Sequence, residues 1–477
     1  MQFHLGKPIL VMIAIALIAG TGLALRSTPP RAELVLWTFA DSHARMYRGA
    51  PNEPREQTLA GQFEKRIGKS VEIKLVNGAA ENLRLTAMFD RVNVDPNQPD
   101  VAEIEIGSIG RYFRPPVDEV GFMPLNEMLD KSGWRARILE SRLSPWTKEG
   151  VVFGIPHDVH PVSISYRKDL FDQAGVDLAS SKTWPEFQEN CLRFQEYWKS
   201  RGYPLRHAME LPTTAADYIV VMLLQRHINV LDDRNEIHLT DPNVAETIAF
   251  YAQMVAGPRA VATDATPGGN MWARDFSEGD LCALITPDWR AGYLKRYGSQ
   301  NVAGKVAMMP LPVFQEGDAP TGSWGGTMAG IPRRCKDPQT AFDFIMYLYS
   351  SKQGIESRWK TTMILPSVKD LWNEPAFHEP DPFYSNQKTG ELYVDLARKM
   401  PLRYVTPFTG IANAQLANLL SRAVQRVKDG QQGDALVVEI RGWLAEAAKD
   451  LQRRIEFGKF EDDASHEHGD RRTGAGE

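Results

Sequence analysis

The chain has 477 residues, 43% of them hydrophobic and 24% charged. That is enough apolar material for a large core split into two or more lobes, and it excludes the fibrous and disordered classes. A formal net charge of −5 leaves no broad basic field of the kind that attracts phosphates, so nucleic acid is excluded as a partner.

Lys7 precedes PILVMIAIALIAGTGLAL, a run of about 18 uncharged residues that approaches the length of a bilayer span. Gly22 and Ala24 suit the small-residue positions before a signal-peptidase cut, but Arg26 follows at once and the charge bias across the segment is weak. Residues 1–31 are therefore either a cleaved signal peptide or a retained membrane anchor over 8–25, and the chain is expected to work in the periplasm or otherwise outside the cytoplasm. No cysteine follows the apolar run, so a lipid-anchored form is not encoded. Cys191, Cys282 and Cys335 are odd in number and widely spaced, which permits at most one bridge.

After a Pro-rich joint at 27–31, ELVLWTF (33–39) reads as a first strand and a long amphipathic helix is expected near 53–67. KSVEIKLVNG (69–78) alternates as a strand does, a helix is expected near 80–91, and PDVAEIEIG (99–107) is a third strand. Such β-α-β-α order argues for a mostly parallel sheet covered by helices on both faces. Thr183 is a natural N-cap, with Pro185 in the first turn and Glu186 placed to close a capping box. Helices follow over 213–225, 244–256, 338–350, 415–430 and 434–457, and the polar tail from Lys459 is expected to be disordered.

The stretch FGIPHDVHPVSISYRKDLF (153–171) interrupts this pattern. Strand alternation puts Asp158 and His160 on one face and His157 on the other, while Pro161 removes a ladder donor. The segment therefore reads as a crossing between two lobes, with VSISY as the first strand of the second lobe. Alternation also opposes joint metal ligation by His157 and His160, and no metal or other cofactor is expected.

From these residues the chain resembles the extracellular solute-binding proteins of ABC transporters, the family-1 group that includes maltose-type sugar-binding proteins. The similarity lies in GVVFGIPHDVHPVSISYRKDLFDQAGV with TWPEF, PDVAEIEIGSIGRYF with GFMPLNEML, FSEGDLCALITPDWRAGYL, and GSWGGTMAGIPRRCKDPQTAFDFIMYLYSSKQG. Arg167 stands where that family usually has Asn. The resemblance implies a two-lobed periplasmic-binding-protein (type II) fold, each lobe a mixed, mostly parallel α/β sheet. Residues 32–157 and 325–370 would form the first lobe, 158–324 and 371–457 the second, and 458–477 the tail. It also implies a monomeric receptor that closes on a small solute, in the first place a sugar, and hands it unchanged to the transmembrane subunits of an ABC permease.

A sugar cleft needs carboxylates and Arg for hydroxyl groups and aromatic faces for the C–H surface of the ring. At strand exits, where open α/β sheets bind ligands, the candidates are Asp41, Glu105, Asp288, Trp289 and Arg290. Trp324 sits beside Gly325, whose backbone can approach a ligand closely; Trp272 lies in a Gly-rich loop, and Arg403 with Tyr404 precedes a Pro-Phe turn. Asp158 and His160 are either cleft contacts or hinge hydrogen bonds. Glu103 and Glu105 lie on one strand face, whereas a glycosidase pair must flank the scissile bond, so Glu103 reads as structural. The competing readings are an exported carbohydrate-active enzyme using Glu105 with Asp158 or Asp288, and a membrane-tethered sensor with the same fold.

Overall fold

In a computed structural model of the protein, residues 6, 11–16, 31–90, 97–264, 271–298 and 300–473 are described. Most of the N-terminal apolar run lies outside the described residues. Among those described, no helix is long and apolar enough to cross a membrane.

The first sheet grows from β1 (Leu34–Thr38), whose five residues are all buried, as a continuous apolar run in a central strand requires. It pairs in parallel with β2 (Val71–Leu75) and with β3 (Val101–Glu105). β4 (Ile155–Pro156) then leaves this sheet, and β5 (Val162–Arg167) is the centre of a second one, flanked antiparallel by β6 (Ala283–Pro287) and β7 (Val306–Pro310). The chain returns to the first sheet as β8 (Thr327–Gly330), antiparallel to both β3 and β4. The strand orders are β2-β1-β3-β8-β4 and β6-β5-β7. The two-lobed α/β architecture is as expected, but the sheets are not mostly parallel: the first has two parallel and two antiparallel pairings, and the second is antiparallel throughout because both neighbours of β5 run against it.

Residues 157–161 cross between the sheets, and the return strand runs beside them through a bridge between Pro161 and Ser323. A third crossing lies at 363–368, where Pro366 bridges Asp158, a few residues before the lobe boundary expected after residue 370. Its residues, MILPSV, carry no charge, and Pro366 is the one break in an otherwise strand-like run.

The helices that bear on the site are α1 (Asp41–Arg48), α2 (Leu59–Ile67), α3 (Gly78–Phe89), α4 (Trp184–Lys199), α5 (Asp217–Gln225), α6 (Pro242–Val255), α7 (Met271–Glu278), α8 (Asp288–Tyr297), α9 (Pro338–Ser350), α10 (Lys352–Thr362), α11 (Thr389–Ala397), α12 (Thr409–Lys428) and α13 (Gly433–Thr473). The single helix expected over 53–67 is instead a 3-10 turn at Arg55–Gln57 followed by α2, and α1 lies upstream of that span. Pro51 and Pro54 cannot donate to a helical ladder, and Thr58 restarts the helix by accepting from the Gly61 amide at 3.1 Å. The capping box of α4 forms as read: Thr183 Oγ1 accepts from the Glu186 amide at 3.3 Å and Glu186 Oε2 accepts from the Thr183 amide at 3.2 Å. The tail departs from expectation, since α13 continues to Thr473. Extending an existing helix avoids the cost of a new nucleus, so a polar, charged sequence is enough to carry it on.

α12 and α13 pack with α6 into the core of the second lobe. Residues 371–400 occupy a different place: α11 lies against β5 and β7, and its apolar side chains belong to the cluster that also holds β1 and α9. The three cysteines are free.

Candidate functional site

The three crossings are fastened by one buried charge network. Arg142 has no exposed surface; it donates from Nε to the Asp158 carbonyl at 2.9 Å, from Nη1 to Ser323 Oγ at 2.9 Å, and pairs through Nη2 with Asp158 Oδ1 at 3.1 Å. His160 sits between two carboxylates, with Nε2 at 3.1 Å from Asp158 Oδ2 and Nδ1 at 2.5 Å from Asp288 Oδ1. Asp158 also accepts from the Thr327 amide, and Asp288 accepts from the Leu365 and Trp289 amides. First, second and third crossings and the start of α8 therefore share a single set of bonds, in which two carboxylates meet one guanidinium and the imidazoles of His160 and His157. His160 reaches this position with φ of 58°, a left-handed conformation that a non-glycine residue holds only when its surroundings over-determine it.

Burial opposes charge on His160, but Asp158 and Asp288 outweigh it and push the imidazole up to about 9. Burial likewise opposes the Asp158 carboxylate, yet His160, His157 and Arg142 hold it well below the usual range. A histidine whose folded value exceeds its unfolded value of about 6.5 contributes stability that is fully present below pH ~6.5 and disappears as pH rises towards ~9. We therefore expect the melting temperature to fall across that window. In His160→Gln this slope should flatten, as read by thermal unfolding from pH 6 to 9.5; an unchanged slope would remove His160 as its source.

The half-exposed residues lie around this network. Glu105 ends β3 and accepts from the Gly107 amide at 2.8 Å. Burial raises its carboxyl against the lowering effects of that amide and of the nearby Arg403 charge. Arg403 Nη1 donates to the Ser323 carbonyl at 3.0 Å. On the second lobe, Trp289 opens α8 and donates from Nε1 to the Trp324 carbonyl at 3.1 Å, their rings edge to face at 5.9 Å. Tyr218 of α5 abuts Trp324 at 4.6 Å. Gly325 has φ of 90°, and an added Cβ would come within 3.2 Å of Trp289 Nε1; glycine is needed there for both conformation and space.

Of the remaining sequence candidates, Arg290 is buried behind this wall. It is ion-paired with Glu210, donates to Tyr218 Oη at 2.8 Å, and lies 4.5 Å from the Trp272 ring that covers it. Asp41 is exposed on the first turn of α1, paired with Arg45 at 2.6 Å. The structure thus gathers Glu105, Trp289, Trp324, Gly325 and Arg403 as partly exposed neighbours. Asp158, His160 and Asp288 are at most 5% exposed and spend their polar atoms on protein partners. Arg142, Glu210 and Tyr218 were not legible in the sequence, because a lone Arg in ESRLSPW carries no spacing signal and its partners lie far away along the chain.

Glu103 is fully buried and accepts from Thr38 Oγ1, Tyr47 Oη and Tyr349 Oη, with His43 Nδ1 at 2.8 Å. His43, Glu103 and His157 come close enough together to suggest a metal site. However, the Arg358 guanidinium donates to His157 Nε2 at 2.7 Å, which occupies the lone pair a metal would need and adds a positive charge beside it.

Beyond Arg403, the chain at Tyr404 lines a groove of about 680 Å³ between the lobes. Phe113 and Lys148 line its first-lobe side, and Tyr404, Phe408, Arg454 and Phe457 the other.

A profile for bacterial extracellular solute-binding proteins matches residues 58–382. The chain is 24% identical over 410 residues to an arabinooligosaccharide-binding protein of Halalkalibacterium halodurans, covering 83% of this chain and 85% of that one. It is 22% identical over 423 residues to an arabinooligosaccharide-binding protein of Bacillus subtilis, covering 87% and 92%. Its fold is similar to that of the sugar-binding protein MalE from Xanthomonas citri, with a TM-score of 0.69 at 19% identity, covering 89% of this chain and 98% of the other.

Proposed function

Since the chain belongs to the bacterial extracellular solute-binding proteins, we propose that it captures an oligosaccharide between its two lobes and passes it, chemically unchanged, to the transmembrane subunits of an ABC importer. The observation that carries this reading is the half-exposed Trp289–Trp324 pair facing the same interlobe region as Glu105 and Arg403. Indole faces suit the C–H surface of a pyranose or furanose ring, and a carboxylate with a guanidinium suits its hydroxyls. The adjoining groove gives room for further sugar units, in keeping with relatives that bind arabino-oligosaccharides.

We assign Asp158, His160 and Asp288 to the hinge, since their polar atoms are already matched within the protein. The lobe division at the 157–161 and 323–327 crossings follows from the same assignment, with tethering by residues 8–25 as part of the proposal. An enzyme would need two carboxyl groups flanking the scissile bond. Of the three carboxylates named for that role, Asp158 and Asp288 are buried in ion pairs, leaving Glu105 alone. The test is a thermal-shift panel of arabino-oligosaccharides, maltodextrins and galacto-oligosaccharides, with the ligand recovered by chromatography. Stabilisation with intact sugar supports the receptor, whereas shortened product would establish an enzyme.

A further inference from the structure

A second cavity, of about 260 Å³, opens where α8 of the second lobe meets α1 and α10 of the first. His43 and Arg45 of α1, Glu53, Arg296 of α8 and Arg358 of α10 line it. Three guanidiniums against one carboxylate leave an excess of positive charge. Arg45 is paired with Asp41 at 2.6 Å, and Glu53 Oε2 already accepts from the Ala50 amide at 3.1 Å. Among the described residues Arg296 has no carboxylate partner; its guanidinium lies 5.6 Å from the Tyr297 ring.

Arg358 is the decisive residue. It is 4% exposed, and its Nη1 is committed to His157. Its Nε and Nη2 are buried with no hydrogen-bond partner. Native proteins rarely leave buried donors unmatched, and an unmatched charged donor is the most costly kind. Moreover, Nε and Nη2 form one edge of the guanidinium, the fork that meets two oxygens of a phosphate, sulfate or carboxylate in parallel bonds.

We propose that this cavity is a binding site for a small oxyanion, held by the free edge of Arg358 from the first lobe and by Arg296 from the second. The site is separate from the tryptophan wall, because Arg296 lies two helical turns beyond Trp289 on α8. It does not depend on the identity of the sugar.

The test uses the full chain, with melting temperature and isothermal titration followed against inorganic phosphate, sulfate and D-galacturonate, and chloride at matched ionic strength as control. Saturable binding of phosphate or sulfate above the chloride control is expected if the anion is free; binding of galacturonate alone would mean that the carboxylate is carried on a sugar. In Arg296→Gln and Arg358→Gln the affinity should fall by about tenfold or more. Should the buried Arg358 variant fail to fold, the exposed Arg296 variant decides. Its affinity for any sugar found in the panel should stay within about twofold of the parent, since the two sites do not share partners. A wild-type response no different from chloride, or undiminished anion binding in Arg296→Gln, would overturn the proposal, and neither result would bear on sugar capture.

Discussion

Arg142→Met lowers the stability of the folded chain by about 3–5 kcal/mol, the usual result of removing one member of a buried ion pair. The methionine fills much of the same volume, so the loss is electrostatic. Asp158 and Asp288 remain buried with only the His160 imidazole between them, and the Asp158 carbonyl and Ser323 hydroxyl lose their donor. Urea unfolding measures the change. Adding Asp158→Asn to the same chain should recover part of it, because the uncompensated carboxylate is then gone; strict additivity of the two losses would show that Arg142 and Asp158 are not coupled. Because the guanidinium bonds to two of the three crossings, the variant should also loosen the hinge, seen as faster amide exchange at 157–161 and 323–327.

Trp289→Ala weakens sugar binding by about 30-fold, corresponding to the roughly 2 kcal/mol lost when a central aromatic anchor is truncated. Two contributions are removed together: an indole face, and the Nε1–H that holds the Trp324 carbonyl and so orients the second ring. Trp289→Phe keeps a ring and loses only the hydrogen bond, so titration should place it between the parent and the alanine variant. An alanine variant with unaltered affinity would move the sugar site away from this wall.

The features legible in sequence were those set by local rules. Strand β1 announces itself as an apolar run, the start of α4 as a capping box, and the first crossing as a proline after a polar strand end. The helix at 41–48 has no such local mark, since Ala40 at its start offers no side-chain cap. Strand alternation places Asp158 and His160 on one face, and the two side chains do meet, at 3.1 Å. The geometry behind it differs, however: His160 has left the extended region with φ of 58°, and His157 also reaches Asp158, at 3.3 Å. Strand periodicity therefore gave no guide to which groups face solvent. That depends on the third crossing and on Arg142, contacts made by segments far apart in sequence with no pattern of their own.

The most direct test of the central claim is small-angle X-ray scattering of the mature chain with and without a saturating oligosaccharide identified in the panel. Hinge closure around a captured ligand predicts a smaller radius of gyration in the bound state. An unchanged scattering profile at saturation would contradict a receptor that works by bringing its two lobes together.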